Sequence, residues 1–280
     1  MAVSQFEKGQ RFEALHARPG AFVIPNPWDA GTARILTKLG FEALTTTSAG
    51  LSFMLGKWDG DGTVTRDETL TNAKMIVDAT DLPVAADLEK GFGDAPEIVA
   101  ETIRLAGEMA GLVGGSIEDA TGDLERPIYD FQQAVERVAA AVEAARALPF
   151  PFMLVGRAEG LRFARPNLDD TIRRLQAFEG AGADVLFAPG LARVDDIRTV
   201  CASVKKPVNV VMGFARIEGV PLSVADLAAL GVKRISLGSA LSRVALDAFF
   251  RAAQELREQG TFNFADRAIP MRDAKDLVGP

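Results

Sequence analysis

Short apolar segments alternate with amphipathic helical segments along almost the whole chain. Eight segments of strand length are rich in β-branched and other apolar residues, which is typical of parallel strands buried on both faces. They cover residues 22–26, 43–48, 83–89, 115–119, 152–159, 185–189, 207–212 and 234–238. Helical periodicity follows each of them, over residues 31–39, 67–78, 96–110, 131–147, 168–179, 194–203, 223–230 and 240–258. A regular alternation of strands and helices restricts the chain to a small number of folds.

Local signals mark where several of these helices begin and end. A capping box, in which a hydroxyl or acidic residue stands three positions before a second acidic residue, predicts a helix start at Thr65/Glu68, Asp94/Glu97 and Ser223/Asp226. Asp29 is expected to cap the helix that follows the first strand. Glycines at positions 40, 182 and 231 stand where a helix must end.

Eight βα units over roughly 240 residues predict a single (β/α)8 TIM barrel. The alternative is a doubly wound sheet, which usually carries a glycine-rich phosphate loop after its first strand. Here that strand is followed by Asn26-Pro-Trp-Asp29, which is not such a loop. We therefore expect a barrel with a short N-terminal helix over residues 1–258 and a C-terminal tail over residues 259–280.

Composition excludes several classes of function. Lys and Arg number 31 against 38 Asp and Glu, a net charge of −7, which disfavours binding to nucleic acid or to an anionic membrane. No run of about 18 apolar residues is present to span a bilayer, and no signal peptide is visible. One cysteine, Cys201, excludes an internal disulfide and indicates a reducing compartment, so we expect a cytoplasmic protein. The single histidine, His16, leaves acid–base and metal chemistry mainly to carboxylates.

Acidic residues stand where three consecutive predicted strands end. Asp87 and Glu89 lie two positions apart, so both should face the same side of the third strand. Glu118 ends the fourth strand and Arg157 the fifth. Carboxylates gathered in a barrel mouth need a cation, and oxygen ligands favour Mg²⁺ or Mn²⁺, which leaves Arg157 free to bind a substrate carboxylate. The alternative is a structural salt-bridge network.

Two glycines, Gly91 and Gly93, follow the third strand in the segment GFGD. Their spacing permits close approach of the backbone to a ligand. An ordinary tight turn between strand and helix explains the same residues equally well.

Taken together, several motifs resemble those of the isocitrate lyase / phosphoenolpyruvate mutase superfamily. They are IPNPWDAGTARIL at residues 24–36, SFMLGKWDGDG at 52–62, ADLEKGFGD at 86–94, SIED at 116–119 and GRAEG at 156–160. The resemblance runs from about residue 10 to about residue 260. It implies a barrel, a homo-oligomer (a dimer, or commonly a tetramer) whose C-terminal helix is exchanged between subunits, Mg²⁺, and a 2-oxo or 2-hydroxy acid as substrate.

The resemblance also implies roles for individual residues. The family's D-x-D-x-G-Y-G pattern falls on residues 87–93, so Asp87 would bind the metal, and Glu89 replaces the second Asp with an arm one methylene longer. Glu118 would complete the metal shell. Asp59 matches an acidic residue near metal and substrate, and Arg157 matches the substrate-binding arginine. The remaining predicted substrate contacts are Thr46, Thr47, Ser48 and Asn209.

One segment departs from the family's lyases. Isocitrate and methylisocitrate lyases carry a K-x-C-G-H loop after the fourth strand, whose cysteine is the catalytic acid. Residues 119–127 here read DATGDLERP, with no Cys, Lys or His. The gating loop of phosphoenolpyruvate mutases is also missing. Cys201 is expected at the opposite end of the barrel, in a structural position.

These observations predict a Mg²⁺-dependent lyase or decarboxylase that acts on a small 2-oxo or 2-hydroxy (di)carboxylic acid through a metal-stabilised enolate. Decarboxylation is favoured modestly because CO₂ leaves without a proton, and hydrolytic cleavage fits equally. The alternatives are a phosphonopyruvate-type C–P mutase or hydrolase, and a metal-dependent keto-acid binding protein without turnover.

Overall fold

The computed structural model describes residues 3–163, 167–213, 217–218 and 220–279. All of its strand pairs are parallel, and helices connect successive strands. The strands are β1 (Phe22–Ile24), β2 (Leu44–Thr45), β3 (Val84–Asp87), β4 (Gly114–Glu118), β5 (Met153–Arg157), β6 (Val185–Phe187), β7 (Val208–Val211) and β8 (Arg234–Ser236). The predicted (β/α)8 barrel is confirmed.

Eleven α-helices lie in the described part of the chain. They are α1 (Gln5–Ala17), α2 (Ala30–Lys38), α3 (Ser48–Leu55), α4 (Arg66–Asp78), α5 (Pro96–Glu108), α6 (Phe131–Ala147), α7 (Leu168–Gly180), α8 (Val194–Ser203), α9 (Val224–Ala229), α10 (Ala240–Gln259) and α11 (Met271–Val278). Short 3₁₀ helices cover Gly160–Arg162 and Asn263–Arg267. Within the described ranges, no helix combines the length and apolar character needed to cross a membrane.

Hydrogen-bonded strands follow the order β1-β8-β7-β6-β5-β4-β3-β2, and the barrel closes between β1 and β2 without a regular ladder. Across this seam, the N–H of Thr45 donates to the carbonyl of Pro25 at 3.1 Å. The buried Asn26 side chain donates to the carbonyl of Thr46 at 2.8 Å and accepts from the N–H of Leu237 at 2.8 Å. Asn26 thus joins β1, β2 and the end of β8, and it pairs backbone groups that would be costly to bury unpaired.

Buried apolar side chains form an inner and an outer layer. On β6, Val185 and Phe187 belong to the inner set and Leu186 to the outer set, as the alternation of side chains along a strand requires. The inner set includes Phe12 of α1. A Cβ on Gly114, the first residue of β4, would lie 2.8 Å from the Phe12 ring. Helix α1 therefore closes the amino-terminal end of the barrel.

Several predicted boundaries are wrong by a few residues. β2 contains only Leu44–Thr45, and Ser48 begins α3, a helix that the sequence did not predict. β3 ends at Asp87, and Glu89 adopts a left-handed conformation with φ of 49°. The strand alternation that was expected to place Asp87 and Glu89 on one face therefore does not extend to Glu89.

Helix starts follow the capping predictions at three of four sites. Thr65 and Ser223 form the expected capping boxes, and Asp29 caps α2. Asp94 does not cap α5, whose N-cap is Ala95 with no side-chain bond. The Asp94 carboxylate instead accepts hydrogen bonds from Lys90 and from the hydroxyl of Tyr129, a residue outside the segment from which the cap was predicted.

Beyond the barrel, α11 packs against α2 of the same chain. The guanidinium of Arg34 donates to the carbonyl of Val278 at 2.9 Å. Lys38 donates to the carbonyl of Asp276. These contacts attach the end of the chain to the outside of the barrel near β1.

The only histidine of the chain is buried in the closed end of the barrel. The His16 ring makes edge contacts with the rings of Phe12 and Phe22, with centroids 4.7 and 5.0 Å apart. Its Nδ1 lies 2.8 Å from the carbonyl oxygen of Phe12. Because that oxygen can only accept a hydrogen bond, Nδ1 carries the proton of the neutral ring and donates it. Burial, together with the positive charge of Arg234, lowers the pKa of His16 from 6.5 to about 3.

We predict that this histidine makes the fold sensitive to mild acid. Because its pKa is lower in the folded state, the unfolded chain binds the extra proton, and stability falls as the pH falls below the unfolded pKa. This group alone should lower the free energy of unfolding by about 2 kcal/mol between pH 7 and pH 5. In His16→Gln, urea unfolding at the two pH values should lack this loss. An equal loss in both proteins would show that His16 does not titrate in this way.

Candidate active site

A cavity of about 430 Å³ opens at the carboxyl-terminal end of the barrel, where such folds hold their active sites. Most of the predicted site residues line it, namely Thr46, Thr47, Ser48, Asp59, Asp87, Arg157 and Asn209. Glu89 and Glu118 are not part of the lining. They contact lining residues instead: the backbone N–H of Glu89 donates to Asp87 at 3.2 Å, and Glu118 pairs with Arg157.

Arg157, the last residue of β5, is buried among three carboxylates. Its Nη1 lies 3.0 Å from Glu118 Oε2 and 3.4 Å from Asp87 Oδ1, and its Nε pairs with Glu159. Burial opposes the charge of the guanidinium, but Glu118, Glu159 and Asp87 outweigh burial and raise the pKa of Arg157. The arginine expected to be free for a substrate is thus engaged in an ion-pair network, as the structural alternative predicts.

The acidic groups of this cluster outnumber its cations. Burial and the charge of Asp87 raise the pKa of Asp59, and burial with the charges of Asp87 and Asp59 raises the pKa of Glu89 to about 7. Burial also raises the pKa of Glu118 well above its usual value, despite Arg157. Burial is the largest cause of all three shifts, and neighbouring carboxylates add to each of them. The carboxyls are Asp59, Asp87, Glu89, Glu118 and Glu159, and the arginines beside them are Arg157 and Arg162.

The described residues contain no group of three or more His, Cys, Asp or Glu side chains arranged to hold a metal ion. Mg²⁺ needs fewer protein ligands, because it usually keeps several waters and takes one or two carboxylates. Asp87 is an oriented carboxylate at the cavity wall: Ser48 Oγ donates to its Oδ2 at 3.0 Å, and the N–H of Glu89 donates to its Oδ1. The donor set therefore fits Mg²⁺ bound mainly by Asp87 and water.

The three hydroxyl residues lie where β2 turns into α3. Thr46 Oγ1 accepts from the N–H of Asp87 at 3.1 Å, and Thr47 caps α3 by accepting from the N–H of Gly50 at 3.2 Å. Ser48 is the first residue of α3 and, with Thr47, lines the cavity. The first N–H groups of a helix have no partner within it, so this turn brings backbone donors to the cavity wall.

Two polar residues of β8 at the cavity wall, Arg234 and Ser236, were not predicted from the sequence. Asn209 of β7 donates to Ser236 Oγ at 3.0 Å, while its own Oδ1 has no hydrogen-bond partner in the described residues. Arg234 is 5% exposed, and its Nε and Nη1 also lack partners there. The sequence did carry a signal for Arg234, because it is unusual to find an arginine inside a strand that is expected to be buried on both faces.

The glycines after β3 allow the loop to pack against the protein. Gly91 has φ of 83°, and a Cβ on Gly93 would lie 2.5 Å from the side chain of Ile98. The buried guanidinium of Arg137 donates to the carbonyl of Gly93 at 2.7 Å. These contacts support the second explanation of the glycine pair, a tight turn packed on α5 and α6.

The loop after β4 is held by a bridge between Ala120 and Ile128 and contains no thiol. Cys201 lies in α8, where it borders a depression shared with His16 and Lys233 at the amino-terminal end of the barrel. Burial raises the pKa of its thiol to about 11. Cys201 is therefore both far from the cavity and protonated at neutral pH, as expected for a structural residue.

Comparison with known proteins gives consistent matches along the chain. Residues 12–257 match the family model described as phosphoenolpyruvate phosphomutase. A 2-methylisocitrate lyase of Halalkalibacterium halodurans is 29% identical over 263 residues, which cover 92% of this chain and 85% of the relative. Among solved structures, a candidate lyase/mutase from Burkholderia cenocepacia J2315 is 57% identical, with a TM-score of 0.94 over 99% of this chain and 97% of the other.

A second solved structure is more distant in sequence. Oxaloacetate acetylhydrolase in complex with the product oxalate is 25% identical, with a TM-score of 0.87 over 98% of this chain and 94% of the other. The family match covers every strand of the barrel and all the predicted site residues. The resemblance noted in the sequence motifs is therefore confirmed, and the chain belongs to the isocitrate lyase / phosphoenolpyruvate mutase superfamily.

Proposed function

We propose that this protein is a Mg²⁺-dependent enzyme, a lyase or decarboxylase that cleaves a C–C bond in a small 2-oxo or 2-hydroxy (di)carboxylic acid. The observation that carries the proposal is the group of five carboxyls beside only two arginines, Arg157 and Arg162, at a cavity of about 430 Å³. The relatives named 2-methylisocitrate lyase and oxaloacetate acetylhydrolase support this substrate class.

Mg²⁺, with Mn²⁺ as an alternative, fits the donor set. Asp87 would hold the ion, with Glu89, Glu118 and Asp59 contributing directly or through water. When bound, the ion would chelate the carboxylate and the adjacent oxygen of the substrate and accept the negative charge that develops as the C–C bond breaks.

The residues of the chain would orient the substrate. Nη1 of Arg157 pairs with Asp87 and Glu118, and a cation that neutralised those two groups would release this nitrogen to bind a substrate carboxylate, while Nε stays paired with Glu159. The backbone N–H groups at the start of α3, next to Thr47 and Ser48, would bind the same carboxylate. Asn209 would contact the remainder of the substrate from the opposite wall.

The choice between possible C–C cleavage reactions depends on whether the cavity holds a thiol or an imidazole that can donate a proton. Among the residues described around the cavity, neither a thiol nor an imidazole is present to protonate a departing carbanion, since Cys201 and His16 lie at the other end of the barrel. CO₂ departs without a proton, and the enolate that stays in the cavity would take its proton from water; in hydrolytic cleavage, water likewise supplies the proton of the departing carbanion. These two reactions therefore fit the cavity better than a reversible aldol-type cleavage.

Two other functions remain candidates because of specific observations. The family model is named for phosphoenolpyruvate phosphomutase, which keeps a C–P mutase or hydrolase acting on a phosphonopyruvate-type acid in consideration. The ion pairs that engage Arg157 would also suit a keto-acid binding protein without turnover. Turnover assays distinguish all three, since they report C–C cleavage, C–P chemistry or no product.

We predict Mg²⁺-dependent product formation from at least one member of a panel of 2-oxo and 2-hydroxy mono- and dicarboxylic acids. Asp87→Asn should lower this activity at least about 100-fold, because one carboxylate charge is lost where the ion is held. Product analysis by NMR with and without added Mg²⁺ provides the measurement.

A matched control is Asp78→Asn, which removes the same charge from an exposed i,i+4 pair with Lys74 on α4. It should leave activity unchanged. Full activity of Asp87→Asn, with the unfolding temperature of the wild-type protein, would contradict the proposed metal site. Binding of 2-oxo acids without any product would favour the binding-protein alternative.

We predict that Arg157→Met strengthens Mg²⁺ binding and abolishes turnover. The substitution removes the internal cation that competes with the metal for Asp87 and Glu118, so calorimetry should show Mg²⁺ affinity higher by about tenfold. The metal-free variant should lose about 3 kcal/mol of stability, because buried carboxylates lose their partner, and Mg²⁺ should restore more stability to it than to wild type.

The control for this experiment is Arg104→Met on α5, where an exposed arginine pairs with Glu108 at the protein surface. It makes the same change in net charge and should leave Mg²⁺ affinity as it is. Unchanged or weaker Mg²⁺ binding in Arg157→Met would show that Arg157 and the metal do not compete for the same carboxylates.

We propose that the protein assembles as a dimer or tetramer in which the long C-terminal helical segment contacts a second copy. The support is the apolar surface of α10, where Val244, Phe249 and Phe250 are 68%, 73% and 62% exposed. Isolated exposed apolar residues are ordinary, but adjacent aromatic residues on one helix are typical of an interface. Exchange of the helix between subunits and the cytoplasmic location stay predictions.

Light scattering should therefore give at least twice the chain mass, and Phe249→Glu should reduce it, because a charge would be buried in the contact. Phe53→Glu, on the separate helix α3, makes the same chemical change at an apolar side chain that is 38% exposed and is the control. A monomer mass for the wild-type protein would refute the assembly.

A further inference from the structure

Another arginine of the cavity is deeply buried and has no carboxylate partner among the described residues. Arg234, the first residue of β8, is 5% exposed and lines the cavity. Within the described residues, its Nε and Nη1 atoms have no hydrogen-bond partner, and burial alone, with no carboxylate opposing it, shifts the pKa of Arg234. A buried guanidinium without an anion is costly, so the charge needs an explanation in function.

The groups around Arg234 form a built pocket for an anion. Asn209, on the neighbouring strand, donates from its Nδ2 to Ser236 Oγ at 3.0 Å, so the Ser236 hydroxyl keeps its own hydrogen to donate to an anion. Asn209 Oδ1 has no partner in the described residues and, as an acceptor, does not itself bind an anion. From below, the ring of Phe12 lies 5.9 Å from the guanidinium carbon and separates it from the outside of the barrel. Burial lowers the pKa of Arg234 to about 10, which leaves the side chain charged at neutral pH.

The register of the strands relates the position of Arg234 in the barrel to that of Arg157. Successive Cα partners run from Arg157 on β5 to Phe187 on β6, to Asn209 on β7 and to Arg234 on β8. Arg157 is the last residue of its strand and Arg234 is the first, so the series descends from the rim of the barrel to its floor. The ring of Phe187 lies 5.1 Å from the guanidinium carbon of Arg157 and forms the wall between the two ends.

We propose that Arg234, with Asn209 and Ser236, is an anion subsite at the cavity floor that binds the second acidic group of the substrate. This inference rests on the proposed function, because it requires the 2-oxo or 2-hydroxy acid end to bind at the rim beside Asp87. It restricts the substrate class to acids with two anionic groups at opposite ends. It also makes Arg234 a specificity-determining residue, which discriminates a terminal carboxylate from a neutral end.

The test compares ligands that share the chelating end and differ at the other end. Titration calorimetry of the Mg²⁺-loaded protein uses oxalate as the short probe, and 2-oxosuccinate and 2-oxoglutarate together with their ω-amides as the long probes. Wild type should bind the better-fitting diacid at least about tenfold more tightly than its amide. Arg234→Met should weaken diacid binding about 10- to 100-fold and leave oxalate binding unchanged.

A purely structural role would give a different result. If Arg234 only supports the fold, Arg234→Met lowers the unfolding temperature and weakens oxalate and the diacids equally, which would overturn the proposal. The expected result is an unchanged or higher unfolding temperature, since an uncompensated buried charge is removed. Arg104→Met again controls for net charge and should change neither affinity.

The comparison of diacid and amide in wild type needs no variant, so the proposal remains falsifiable even if Arg234→Met does not fold. Equal binding of acid and amide at both chain lengths would refute the subsite. Absence of Mg²⁺-dependent oxalate binding would instead contradict the proposed function at the rim. In that case, a preference for diacids that depends on Arg234 would still support an anion subsite at the floor.

Discussion

The acidic side chains at the cavity are held together by one cation, the guanidinium of Arg157, which pairs with three carboxylates at once. Arg157 is buried at the end of β5 and contacts Asp87, Glu118 and Glu159, which come from three different positions of the barrel mouth. Without it, these acids would repel one another in a medium that screens charge poorly. With it, the cluster still holds more carboxyls than arginines, and burial together with the charges of Asp87 and Asp59 raises the pKa of Glu89 to about 7. Arg157 therefore brings the acids together but does not neutralise all of them, so a further cation would still find carboxylates to bind.

Much of the fold could be predicted because its signals are local. The alternation of apolar and amphipathic segments defines the barrel, and Asp87, Glu118 and Arg157 were recognised because each ends an apolar run. Details set by distant contacts could not be read in the same way. The end of β3 depends on a left-handed turn at Glu89, in which the N–H of Gly91 bonds back to Leu88.

Contacts with residues that are distant along the chain explain two further differences between the expectations from the sequence and the structure. Asp94 has the spacing of a helix cap, but the hydroxyl of Tyr129 and the ammonium of Lys90 take its carboxylate, so α5 begins without a side-chain cap. Asn26 was expected only as the last residue of the first strand. Its partners on β2 and after β8 become neighbours only when the barrel closes, so no spacing along the chain reveals them.

Arg157 and Arg234, two of the arginines that line the cavity, differ in the charges around them, and this difference distinguishes the rim of the cavity from its floor. At the rim, carboxylates outnumber cations; at the floor, Arg234 is a cation with no carboxylate beside it in the described residues, and Phe12 separates it from solvent below. A diacid entering alone would be repelled at the rim and attracted at the floor. If a divalent cation first neutralised the rim, both ends would attract anions. Under the proposed function, this order of charges favours metal before substrate, and a substrate extended between the two arginines.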